Sequence, residues 1–179
     1  MIAMDRPTTV FADAPTTILE TPVARCRFYR NVCGLPARID PELGRIFVPA
    51  GSVGAITVPA QLGAMVKIRM QKLGSPAGPI ISHPRSKRWT FLVAPDIPHD
   101  MPLFSELFRL NATLAPIGAQ IALPSPADGV GDRFRVWAQA PSDSYRPSAL
   151  AVIGAIRDCV RPGYGGSAGG RAARNGRHD

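Results

Sequence analysis

The sequence predicts an α/β fold of the α+β kind, a mixed sheet with packed helices, on three observations. Residues 60–73 carry apolar side chains at helical spacing, 53–58 and 88–93 are rich in β-branched and aromatic residues, and strand, helix, strand, strand is an α/β order. The chain has 179 residues, 45% of them apolar and 19% charged, which suits one globular core and excludes full disorder and a fibrous repeat.

Residues 1–21 mix Pro, Thr, Asp and Ala without periodicity and read as a flexible N-terminal arm, ahead of a single domain over 22–160 and a Gly/Arg-rich, disordered tail over 161–179. The stretch 22–33 starts with Pro at a first helical position, spaces Cys26, Tyr29 and Cys33 by three and four, and stops at Gly34, which predicts a short amphipathic helix with arginines outward. Strands follow at 44–49 and 53–58, separated by Ala50, Gly51 and Ser52, and read as a hairpin. In the helix over 60–73, Leu62, Met65, Val66, Arg69 and Leu73 share a face and Gly74 closes it. Strands at 78–83 and 88–93 flank a polar turn through Arg85, Ser86 and Lys87.

Asp100 is placed to cap a helix starting near Pro102, with Leu103, Phe104, Leu107, Phe108 and Leu110 on a broad apolar face. Two more strands, 118–124 and 133–139, are joined by a turn-rich segment, and a last helix over 147–160 buries Leu150, Val152, Ile153 and Ile156.

The formal charge is +8, with 21 Lys+Arg against 13 Asp+Glu, so an anionic partner is a candidate. Arg161, Arg171, Arg174 and Arg177 against Asp179 put +3 of this beyond Val160 and leave the folded part only mildly basic. Arginine outnumbers lysine 18 to 3, which with the Ala, Gly and Pro content reads first as a G+C-rich coding bias. Three cysteines, Cys26, Cys33 and Cys159, are too few for a disulfide framework and lack zinc-site spacing, so reduced, buried thiols are expected. No apolar run approaches the ~18 residues of a membrane span, and the N-terminus lacks a signal-peptide core, so a cytoplasmic location without membrane association is expected.

The run VGAITVPAQLGAMVKIRMQKLGSPAGPIISHPRSKRWTFLVAPD, followed by GAQIALPSPADGVGDRFRVW, resembles a degenerate, high-G+C bacterial type of the N-terminal domain of bifunctional DNA primase-polymerases, a branch of the archaeo-eukaryotic primase superfamily. The resemblance spans residues 53–141, about half the chain, through short words. In that family a strand ends in a metal-binding Asp-x-Asp or Asp-x-Glu, a helix crosses over, and a Pro-led strand reaches a turn ending in His before an aromatic strand. Here Thr57, Val58, Pro59 and Ala60 stand where the acidic pair would be, and Trp89 falls at the gapless position of the His, with His83 on the far side of the turn. Nucleotidyl transfer needs two hard cations held by convergent carboxylates, so the resemblance, with these departures, implies the scaffold without catalytic residues, metal or cofactor. Asp40-Pro-Glu42 is the acid-x-acid spacing in the chain, and its Pro and following Leu-Gly suggest a turn before a strand.

The turn cations Arg85, Lys87 and Arg88 sit where the resembled family's loop faces phosphate, and a solvated hairpin turn is an equal reading of the same residues. Arg133, Arg135 and Trp137 alternate with Phe134, Val136 and Ala138, so the first three share one face, which suits a nucleic-acid backbone and leaves Trp137 the better candidate to stack on a base; Trp89, with Phe91 and Val93, reads as core. Neither a nucleophile elbow nor a phosphate loop occurs. The implied function is a non-catalytic module that binds nucleic acid or docks on replication or transcription machinery, including RNA polymerase. The alternatives are a protein-interaction adaptor that uses Phe104 and Phe108 or the first helix, and a nucleotidyltransferase with its acids displaced to Asp40 and Glu42.

Overall fold

The computed structural model describes residues 21–98, 100–126 and 135–161. The expected arm and tail, apart from Thr21 and Arg161, lie outside these residues. In chain order the elements are α1 (Pro22–Asn31), β1 (Arg38–Ile39), β2 (Ile46–Pro49), β3 (Gly54–Pro59), α2 (Ala60–Lys72), β4 (Ile80–His83), β5 (Arg88–Val93), α3 (Met101–Arg109), β6 (Thr113–Leu114), β7 (Gln120–Ala122), β8 (Val136–Gln139) and α4 (Ala149–Val160).

Five strands form one sheet in the order β6-β3-β5-β4-β8, and three form a second in the order β1-β2-β7. The fold is α+β. Every ladder between neighbours is antiparallel, not mixed, because β5 inserts between β3 and β4, and β3 between β5 and β6. The parallel pairs are therefore one strand apart: β3-α2-β4 and β5-α3-β6 are two interlocked split βαβ units, the ferredoxin-like βαββαβ arrangement.

The five-stranded sheet is covered on both faces, so its central strands carry buried apolar residues on both sides. Ile56, Val58, Ile80, Phe91 and Val93 point to a core made with Leu62, Val66 and Met70 of α2, Leu103 and Leu107 of α3, and Val152, Ile153 and Ile156 of α4. Their neighbours Ala55, Ile81 and Leu92 point, at the strand period of two, to a second core with Cys26 and Tyr29 of α1, Ile46 and Val48 of β2, and Ile121 of β7.

Local chemistry accounts for most boundaries. Thr21 accepts a hydrogen bond from the Ala24 N–H and caps α1, and Gly34 ends the turn after it at a φ of 57°. Ser148 accepts from the Leu150 N–H and caps α4. Cys26, Cys33 and Cys159 are free thiols, all buried.

Four expectations change. The stretches 44–49 and 53–58 form strands but no hairpin: β2 finds β1 and β7, β3 finds β5 and β6, and a single parallel bridge from Ala50 to Val53 links the two. The buried face of α2 is Leu62, Gly63, Val66 and Met70, while Met65 and Leu73 are exposed and Arg69 pairs with Asp158. Asp100 stands at the cap position of α3 without a side-chain capping hydrogen bond, and only Leu103 and Leu107 of that helix are buried; Phe108 is 79% exposed. On α4, Val152, Ile153 and Ile156 are buried and Leu150 is exposed.

Candidate nucleic-acid interface

Ala55, Thr57 and Pro59 on β3, Thr90 and Arg88 on β5, and Ile81 and His83 on β4 share the sheet face that meets the small sheet, because the register sets Thr57 opposite Thr90 and His83 opposite Arg88. Toward the ends of these strands the two sheets part. The cleft between them has a volume of about 320 Å³, and its lining includes Thr57, His83, Ser86, Arg88, Thr90, Gln120 and Arg135.

Its floor is a chain of three polar groups. The Thr57 and Thr90 hydroxyls lie 2.8 Å apart, and the Thr90 hydroxyl lies 2.8 Å from Nε2 of His83. Thr90 is 5% exposed, so Thr57 and His83 supply the partners that its hydroxyl could not take from water. Burial lowers the His83 pKa below the usual histidine value, and the positive charges of Arg135 and Arg88 lower it further, so the ring is neutral at neutral pH.

Arg88 is tied down: Nη1 donates to Oδ1 of Asn111 at 2.9 Å, and Nη2 donates to the carbonyls of Asn111 at 2.8 Å and Thr57 at 3.1 Å. Three of the five guanidinium donors thus hold the end of α3 against β3, leaving two for a ligand. Arg135 lines the cleft directly. Lys87 adopts a φ of 52° in the turn, accepts the Ala60 N–H on its carbonyl, and lines a shallow depression with Gln61, Ser82 and His83 at the start of α2. Arg85 is exposed on the same turn, outside the cleft. Arg133 lies outside the described residues.

Trp137 shares the face of Arg135, as its parity implies, and is half-buried, with its ring held from the side of α1. Its indole N–H donates to the Tyr29 hydroxyl at 2.9 Å, the two rings meet edge-on at 5.8 Å, and Tyr29 in turn donates to the Pro124 carbonyl at 2.8 Å. The indole closes the second core. Trp89 packs on the helix face, against Gly63 of α2.

Among the described residues no three His, Cys, Asp or Glu side chains converge, and no carboxylate lines the cleft. The Asp40 carboxylate accepts the N–H groups of Glu42 and Leu43 at 3.0 and 2.8 Å, which makes it the pivot of the turn between β1 and β2. Asp40 and Glu42 are not in the cleft.

The sequence signal for His83 lies in the turn. A hairpin closed by residues 84–87 pairs His83 with Arg88, and that register, not the gapless count that lands on Trp89, brings the imidazole to the cleft. Compared with known proteins, the chain matches no family, no curated protein and no solved structure.

Proposed function

We propose that the chain is a non-catalytic primase-polymerase-like module that binds nucleic acid in the cleft between its two sheets. One observation carries this reading: Arg88, Arg135 and His83 meet hydroxyl groups in a cleft whose described lining contains no carboxylate. Cationic forks and hydroxyl donors suit phosphate oxygens, and a site without carboxylates does not repel them. The order β3, α2, β4, β5 follows the order of elements in the resembled family and supports the same reading.

The test is binding to short single- and double-stranded oligonucleotides across a salt series. Each phosphate neutralised contributes about −0.7 to −0.9 to the slope of log K against log salt, so two or three contacts give a slope of about −2. Arg135→Gln is expected to flatten that slope by about one contact. No binding at low salt, or a slope near zero, contradicts the proposal.

A second reading, an adaptor that docks on replication or transcription machinery, draws on Met101, Phe108 and Ile117, which leave large apolar surfaces exposed around α3. Recovery of a partner that survives nuclease treatment and is lost in Phe108→Ser would favour it. Among the described residues no helix is long and apolar enough to cross a membrane.

A further inference from the structure

We infer that the cleft takes a phosphomonoester dianion without a divalent cation, and that His83 takes up a proton when the phosphate binds. This rests on the nucleic-acid reading and narrows it to one chemical group.

Where the resembled scaffold would hold cations on carboxylates, this chain has the Thr57 hydroxyl bonded to Thr90, which is bonded to His83. Positive charge comes instead from the protein, through Arg88 and Arg135. A phosphate presents only acceptor oxygens, so a partner site must present donors.

The hydroxyl chain can run in either direction. With a neutral ring whose Nε2 accepts, Thr90 donates to His83, Thr57 donates to Thr90, and the end of the chain offers lone pairs to the cleft. When Nε2 gains a proton from the buffer, it donates to Thr90, Thr90 donates to Thr57, and the Thr57 O–H is released to donate to a ligand. One proton therefore converts the end of the chain from acceptor to donor and adds a positive charge. No covalent bond changes.

The charged groups facing the imidazole favour this. Arg88 from β5, Arg135 from the start of β8 and Lys87 from the turn surround it, and neither depression that His83 lines contains a described carboxylate. Burial first, then the charges of Arg135 and Arg88, lower the pKa of the free ring. A dianion placed among them reverses that balance and favours the imidazolium.

The probes are an oligonucleotide with a 5′-phosphate, the same strand with a 5′-hydroxyl, and a nucleoside monophosphate, each titrated calorimetrically into the full chain with EDTA or with Mg²⁺. At about pH 7.5, two buffers of different ionisation enthalpy report proton uptake. The phosphorylated strand is expected to bind about tenfold tighter than the hydroxyl strand, equally in EDTA, with uptake of about one proton. His83→Gln and Thr90→Val are each expected to reduce the preference to about twofold, and His83→Gln to abolish the proton uptake. If the monophosphate competes at the affinity of the strand end, a free nucleotide is the source of the group; if it competes far more weakly, a strand terminus is. A preference that needs Mg²⁺, or uptake unchanged in His83→Gln, overturns the inference. Binding with no preference for the phosphate overturns it and leaves the wider nucleic-acid reading standing, whereas absence of any binding overturns both.

Discussion

Thr57 and Thr90 face each other across β3 and β5 with their hydroxyls 2.8 Å apart, on the face that lines the cleft. Thr90 is buried and joined also to His83, so the pair is the floor of the cleft as well as a rung of the sheet. Replacing Thr90 by Val keeps the shape and leaves Thr57 and His83 each without that partner. The expected cost is about 1–2 kcal/mol by urea denaturation. Phe91→Ala, one residue on and facing the helices, is expected to cost about 3–5 kcal/mol. Equal costs would mean that the hydroxyl pair is not isolated from the core in the way described.

The Trp137 indole is expected to matter for folding and not for base stacking. Tyr29→Phe leaves the indole N–H and the Pro124 carbonyl without their partner and is expected to destabilise by about 1–3 kcal/mol. Trp137→Phe removes the donor but keeps a ring, so oligonucleotide affinity is expected to stay within about twofold. A loss of affinity near tenfold with stability unchanged would return Trp137 to the stacking role.

Gly78 sits at a φ of 66°, and a Cβ there would come 2.4 Å from Cδ of Pro147. Gly78→Ala combines left-handed strain of about 1–2 kcal/mol with that clash, and is expected to destabilise by more than about 2 kcal/mol. The Gly74 site, at a φ of 70°, meets nothing, so Gly74→Ala is expected to cost only the strain. Thermal melts of the two variants decide the order, and the reverse order contradicts the packing of the segment before α4 on the one before β4.

Asp96 accepts hydrogen bonds from the Ser148 hydroxyl at 2.5 Å and the Ala149 N–H at 2.7 Å, at the start of α4. Burial is the largest single influence and opposes ionisation, but the hydrogen bonds together outweigh it and hold the carboxyl below its ordinary value. Its folded pKa is thus lower than its unfolded one, so its contribution is present above about pH 4 and is lost as the pH falls through the folded value. Asp96→Ala is expected to cost about 1 kcal/mol at neutral pH, and less near pH 3. A difference between wild type and variant that does not shrink with acid argues against this cap.

Much of the fold was legible where local pattern and tertiary partner agree. The helices α1, α2 and α4 begin near Pro22, Pro59 and Ser148, and α1 and α2 run to the turns at Gly34 and Gly74, close to the bounds that proline, glycine and apolar spacing imply. Strands β3 and β5 were recognisable from their β-branched and aromatic residues. What local pattern could not contain was partner choice. Residues 44–58 look like a hairpin because the link is short, yet β2 pairs with β7, more than 70 residues away. The same limit applies in the cleft: the parity that puts Arg135 and Trp137 on one face was readable, but the Tyr29 hydroxyl that claims the indole is 108 residues away. His83 was passed over because a linear count aligns Trp89, whereas pairing across the turn selects Arg88 and His83 together. Phe104 and Phe108 belong to an apolar helix surface of which the core uses only the side carrying Leu103 and Leu107.

The most direct test of the cleft is an NMR titration of the isotope-labelled chain with a short single strand at low salt, following backbone amides and the His83 imidazole. Shifts are expected to concentrate at Thr57, His83, Arg88, Thr90, Gln120 and Arg135, with the signals of α3 and of Trp137 staying in place. Shifts centred on Met101, Phe108 and Ile117, or no shifts at saturating strand, would contradict the proposal.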